Sequence, residues 1–153
     1  MRYYCIKQHG ITDCGAACLA TICKQNGYKI GITQIREVAG TDKQGTNAYG
    51  VIKAAEQLGF SAKGVKGNKE AFFSEFPLPC IAHVIVDGNL LHYVVIHKIT
   101  KKQVIIADPG AGIVKLTPKE FFGEVHEEVQ PPKYQWSGVL ILLVKNETFK
   151  KGD

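Results

Sequence analysis

A chain of 153 residues, 45% hydrophobic and 22% charged, is long enough to bury one core and too mixed in character for a fibrous or disordered protein. Its formal charge of +5 is spread over scattered lysines with no run of five or six basic residues, which argues against nucleic acid as a partner and fits a mild preference for acidic peptides. The longest apolar stretch, Gly138 to Val144, falls far short of the roughly 20 residues of a spanning helix, so no direct membrane insertion is expected.

The N-terminus, Met1-Arg2-Tyr3-Tyr4-Cys5, has no apolar core before Lys7-Gln8-His9 and does not read as a secretory signal, which predicts a cytoplasmic location. Small and apolar residues at helical spacing, among them Ala17, Leu19, Ala20 and Ile22, predict a first helix over Cys14–Gln25, stopped by Asn26-Gly27. Thr33 reads as the N-cap of a short second helix that Gly40 ends, and Thr46-Asn47 starts a third that runs to Leu58 and stops at Gly59. From Phe60 onwards the period changes. Ile81–Val86, Leu91–Lys98, Gln103–Asp108 and Trp136–Lys145 are rich in β-branched residues and read as strands, with hairpin turns at Asp87-Gly88-Asn89 and around Lys101-Lys102. Glu124–Gln135, with Pro131-Pro132 at its centre, reads as a surface loop, and Asn146–Asp153 as a polar tail. Helices first and antiparallel sheet second is an α+β arrangement, with one domain over residues 1–145 and a tail over 146–153.

Five cysteines, Cys5, Cys14, Cys18, Cys23 and Cys80, with no Cys-x-x-Cys pair, fit reduced thiols. Cys18 and Cys23 read as small buried helix residues. Cys14 falls at a helix start, where unpaired N–H groups and the positive dipole end favour a thiolate, although the charge of Asp13 next to it works the other way and calls for a further positive partner. A histidine and an orienting acid could meet it from the sheet. A three-residue loop, Ile99-Thr100-Lys101, would set Lys98 opposite Lys102, Ile96 opposite Val104, Val94 opposite Ile106 and His92 opposite Asp108, with the last two side chains about 5 Å apart at Cβ. A two- or four-residue loop would shift that register by one and part the pair unless a bulge compensated. Thiol, imidazole and carboxylate so arranged have the logic of a Cys14–His92–Asp108 triad.

His83 and His97 read as satisfied strand residues, and His9 and His126 as loop residues. No pair has metal-ligand spacing, so neither a metal nor a cofactor is assigned. Gly40 to Gly45 followed by Thr46 lacks the lysine of a phosphate loop.

The string from Gln8 to Ala20, with Gln8, Asp13, Cys14 and Gly15, resembles the start of the double-glycine leader peptidases at the N-termini of bacterial peptidase-containing ABC transporters. The resemblance continues through Gly45-Thr46-Asn47-Ala48-Tyr49-Gly50, Leu91-His92-Tyr93-Val94-Val95, Ala107-Asp108-Pro109-Gly110 and Trp136-Ser137-Gly138-Val139-Leu140, and so covers nearly the whole chain. It implies a papain-like fold and cleavage after a Gly-Gly pair that ends the leader of a bacteriocin, lantibiotic or quorum-sensing precursor, followed by export. It implies Cys14 as nucleophile, His92 as general base and acid, Asp108 as its orienter, and Gln8, with the Cys14 backbone N–H, as donor to the oxyanion. The implied partners are a precursor with an amphipathic helical leader and the transmembrane and ATPase regions of a transporter. The implied place is the cytoplasmic face of the bacterial membrane, with residues 146–153 beginning a linker and the isolated domain monomeric. Glu124–Gln135 is a departure from the family pattern, read as a loop elaboration of unknown purpose that puts no catalytic residue in doubt. A leader-docking module without activity and a papain-like acyltransferase or amidase are the rival readings.

Overall fold

Residues 2–10, 13–39, 47–124 and 129–146 are described by the computed structural model. The first helix, α1, spans Cys14–Gln25, and every residue from Cys14 to Cys23 is buried. Its early residues Gly15, Ala16, Ala17 and Cys18 are small, which lets its axis lie close against its neighbours. A helix apolar all round belongs in a core, and this one is central to it. The chain leaves at Asn26 and Gly27, the latter at φ +84°, where a residue without Cβ is favoured. Helix α2, Ile32–Ala39, starts one residue before Thr33, so Thr33 lies inside it and is not the predicted N-cap. Helix α3, Ala48–Gln57, starts where expected, with the Asn47 side chain accepting from Gly50 N at 2.8 Å. Gly40 as the stop of α2, the glycine-rich Gly40–Thr46 stretch, His126 and the tail beyond Asn146 lie outside the described residues.

Six strands form one antiparallel sheet: β1 (Phe60–Lys66), β2 (Cys80–Val86), β3 (Leu90–Ile99), β4 (Val104–Asp108), β5 (Gly112–Leu116) and β6 (Tyr134–Lys145), in the order β1-β6-β2-β3-β4-β5. The strands alternate between two cores, as a side-chain period of two requires. Ile81, Val95, Ala107 and Ile141 pack with α1, α2 and α3 through Leu19, Ile22, Ile35 and Val51. Ala82, Val94, Ile106 and Leu140 point the other way. That second face is covered by two short helices absent from the sequence reading, α4 (Lys69–Phe72) and α5 (Pro118–Phe122), through Phe72 and Phe121. The expected α+β arrangement of N-terminal helices on an antiparallel sheet is present, and the sheet is clad on both faces. Among the described residues no helix is long and apolar enough to cross a membrane.

The β2–β3 hairpin turns at Asp87-Gly88-Asn89 as predicted, with Val86 opposite Leu90. The β3–β4 hairpin does not follow the predicted register. Its loop has four residues, Thr100 to Gln103, because the Thr100 hydroxyl accepts from Gln103 N at 2.9 Å and Lys102 N at 3.2 Å, so Ile99 faces Val104 and Lys98 faces Ile105. A regular ladder from there would bring Asp108 opposite Val95 and leave His92 on the other face. A bulge between Ile96 and Lys98 intervenes, after which Ile96 faces Ile106 and Val95 faces Ala107. Continued, this register sets Asp108 opposite Val94, with His92 its diagonal neighbour on the same face. The bulged residue, His97, is held in place by Nε2 bonding to the Tyr4 carbonyl at 2.9 Å and by stacking on Tyr3 with centroids 4.9 Å apart.

Candidate active site

The N-terminal segment is tied along α1 by backbone donors. Tyr4 N bonds Gln25 Oε1 at 3.0 Å, Ile6 N bonds Thr21 Oγ1 at 2.9 Å, and Gln8 N then bonds the Pro109 carbonyl at 3.0 Å, just beyond β4. Gln8 is therefore beside the Asp108–Gly110 turn, on the same side of the molecule as the start of α1. Its amide donates one N–H to the Gly10 carbonyl at 2.9 Å, and a primary amide keeps a second. Asp13, buried just before Cys14, accepts from Gly10 N at 3.0 Å and so ties the Gln8–Gly10 segment to the start of the helix. Its other oxygen lies 3.0 Å from Nε of Arg36 on α2, a charge pairing without the alignment of a hydrogen bond. Arg36 offsets the Asp13 charge that stands against a thiolate at Cys14.

From the sheet, Nε2 of His92 lies 2.7 Å from Oδ1 of Asp108, and the Cys14 thiol is near enough to the same imidazole to help raise its pKa. Cys14, His92 and Asp108 are thus brought together although α1 and β4 are far apart in sequence. All three are buried. Burial by itself would lower the imidazole's pKa, but the bond to Asp108 and then the nearness of Cys14, with the charges behind them, outweigh it and hold His92 up to about 9. For Asp108 burial pulls upward, and donation by His92, Tyr134 and Gly110 N reverses it, so the carboxyl is held below its ordinary range. Gly110 N donates to Oδ1 at 2.8 Å, and the Tyr134 hydroxyl donates to Oδ2 at 2.5 Å.

By its sequence Tyr134 reads as part of the Glu124–Gln135 surface loop, a loop of unknown purpose. The structure makes it the first residue of β6, buried, with its hydroxyl on Asp108. No local pattern could have found it, since Pro131-Pro132 nearby read as loop and a lone tyrosine is an ordinary core residue. His83 and His97 have partners: Nδ1 of His83 lies 2.9 Å from Ser137 Oγ, and His97 is the bulge anchor.

Burial also sorts the other thiols. It pushes Cys18 and Cys80 well up, Cys23 up to about 12, and the half-buried Cys5 up against the opposing charge of Lys7. Each of these is held as a neutral thiol. Among the described residues, Cys14 is the cysteine close enough to His92 to help raise the pKa of its imidazole. A thiol that can pass its proton to an imidazole backed by a carboxylate, beside an amide N–H and a helix N-terminus, has what an acyl-transfer reaction through sulfur requires.

The sequence profile described as the Peptidase C39 family matches residues 2–148. The lactococcin-G-processing and transport ATP-binding protein LagD of Lactococcus lactis subsp. lactis is 40% identical over 146 residues, which are 95% of this chain and 19% of that protein. The transport/processing ATP-binding protein ComA of Streptococcus pneumoniae is 36% identical over 141 residues, 90% of this chain and 18% of that protein. The chain therefore spans about a fifth of the length of these relatives. Among solved structures, the peptidase domain of Streptococcus ComA, described as a bi-functional ABC transporter involved in a quorum-sensing pathway, superposes with a TM-score of 0.82 at 31% identity, covering 95% of this chain and 100% of that one. A double glycine motif protease from an AMS/PCAT transporter, solved in complex with the leader peptide, gives 0.78 at 29% identity over 95% and 93%. Sequence and fold agree over nearly the entire length, and the chain belongs to the Peptidase C39 family of cysteine peptidases.

Proposed function

We propose that this domain is an endopeptidase that removes the leader of a secreted peptide precursor by cutting after a Gly-Gly pair, with Cys14 as nucleophile. The observation that carries the reading is that one buried imidazole, His92, bonds Asp108 and has the Cys14 thiol close by. His92 takes the thiol proton, and the sulfur attacks the carbonyl carbon of the second glycine. The oxyanion that forms accepts from the free N–H of the Gln8 amide and from the Cys14 backbone N–H. His92⁺ then protonates the leaving amine, the C–N bond breaks, and a thioester joins the leader to Cys14. Water, deprotonated by His92, attacks the thioester and releases the leader carboxylate and the free thiol. Asp108 holds the imidazole in orientation throughout.

The substrate class is supported by the similarity to the double glycine motif protease solved with its leader peptide and to the two transport and processing proteins. The leader would be an amphipathic helix, acidic on its polar face to suit a +5 domain, and the domain would work, monomeric when isolated, at the cytoplasmic face of a transporter's membrane and ATPase regions. A synthetic precursor with a helical leader ending in Gly-Gly, incubated with the domain and followed by mass spectrometry, should be cut after the second glycine. Cys14→Ala should leave it intact and abolish fast alkylation by iodoacetamide. Binding of the precursor by the unaltered domain without cleavage would make it a docking module and end the peptidase reading.

A further inference from the structure

Asp108 is buried, so each of its lone pairs either finds a donor in the protein or costs stability. Oδ1 is served twice, by His92 Nε2 at 2.7 Å and by Gly110 N at 2.8 Å. A carboxylate held at one oxygen can still pivot about its Cβ–Cγ bond and swing that oxygen away from the imidazole. What stops the pivot is at the other oxygen: Oδ2 accepts from the Tyr134 hydroxyl at 2.5 Å.

Tyr134 is itself held in place from two sides. Its backbone pairs with Val86 at the end of β2, and Lys133 O accepts from Asp87 N at 3.1 Å in the β2–β3 turn. Pro131 packs so closely on Gly88 that a Cβ there would come within 2.7 Å of the proline Cβ. The ring is buried in the second core with Val84, Val86 and Phe121. The hydroxyl therefore reaches Asp108 from a rigid frame.

We propose that Tyr134 is a positioning residue of the active site: its hydroxyl fixes the rotation of the Asp108 carboxylate and, through it, the aim of the His92 imidazole at Cys14. This rests on the peptidase reading above, and deepens it by assigning the segment before β6 to the machinery. The charged and titratable groups that act on His92 or Asp108, or on which these act, are Cys14 and Cys18 on α1, Cys5 on the N-terminal segment, His83 on β2 and Tyr134 on β6. Tyr134 alone among them bonds Oδ2 among the described residues.

Tyr134→Phe removes the hydroxyl and keeps the ring that fills the core, so the domain should fold, as circular dichroism can check. With the peptide substrate, kcat should fall about 10- to 100-fold, the size of effect that misaimed reacting groups produce, with KM unchanged. Independently of any substrate, the His92 imidazole should titrate by NMR at lower pH in the variant, because a carboxylate free to pivot stabilises the imidazolium less. An unchanged kcat overturns the proposal. So does a His92 titration that moves upward, since that is the result of removing a charge-stabilising donor from a carboxylate whose aim has not changed. If the unaltered domain cuts no Gly-Gly peptide the peptidase reading falls, while the NMR titration still decides whether Tyr134 aims His92.

Discussion

The two halves of the site are built differently. The thiol half draws on residues close together in sequence, with Gly10 N bonded to the Asp13 side chain just before α1 and Asp13 braced by Arg36. The base half is assembled from three strands, with His92 from β3, Asp108 from the end of β4 and Tyr134 from the start of β6. Short-range turns and a helix N-terminus suffice for the first. The second depends on loop length, a bulge and a strand that arrives late in the chain. A thiol at a helix start can be placed by local sequence, whereas the imidazole and carboxylate that meet it are only as well placed as the sheet's register.

The sharpest way to break this comparison is at the base half. Asp108→Asn keeps the shape but cannot serve the imidazolium, and kcat should drop by up to about 10⁴-fold, the loss seen when such a carboxylate is neutralised in serine enzymes. At the thiol half, Gln8→Ala removes one oxyanion donor and should lower kcat by about 10²–10³-fold with little change in KM. Steady-state kinetics on one peptide would rank the two. A larger loss at Gln8 would reverse the order and make the oxyanion contact, not the base, the dominant part.

Titration sharpens the contrast further. His92 is held up to about 9, so kcat/KM should decline as pH rises through that value, where the imidazolium is lost. The stability that the His92–Asp108 pair contributes follows the same sign. A pKa raised above the ordinary histidine value of 6.5 gives stability that is whole below 6.5 and disappears as pH rises towards about 9. Urea unfolding at several pH values should show this loss in the parent and a much smaller one in Asp108→Asn. At the acid end, the lowered Asp108 pKa gives stability that is present above the ordinary carboxylate range and lost as pH falls below it.

The smallest effect is expected at Arg36. The guanidinium is partly exposed, but Asp13 is not, and Arg36→Met leaves that buried carboxylate short of its counter-charge. A cost of about 1 kcal/mol follows, or about 2–4 °C in Tm, with a modest fall in the rate of Cys14 alkylation. Calorimetry with no change in Tm would show that solvent already screens Asp13 and that the thiol half needs no brace.

Much of the fold was open to reading because its signals are local. Helix α1 matched its predicted span at both ends, since a run of small residues followed by Asn26-Gly27 settles that stretch without help from elsewhere. The four predicted strands differ from those observed by one or two residues at some ends. Strands β1 and β5 were missed because they are the edges of the sheet, where lysines and glycines dilute the alternation. Helix α5 was missed although Thr117, Pro118, Glu120 and Gly123 form a complete capping signature, because five residues show no periodicity.

The sequence by itself determined that a thiol stands at a helix start, that His92 and Asp108 lie in neighbouring strands, and, by resemblance, the family to which the chain belongs. Only the tertiary structure decided how they meet. Thr100 selected a four-residue loop, and the His97 bulge, anchored on Tyr3 and Tyr4, returned His92 to the face of Asp108. Register, bulges and the arrival of Tyr134 depend on contacts between residues distant along the chain, and no window of sequence contains them.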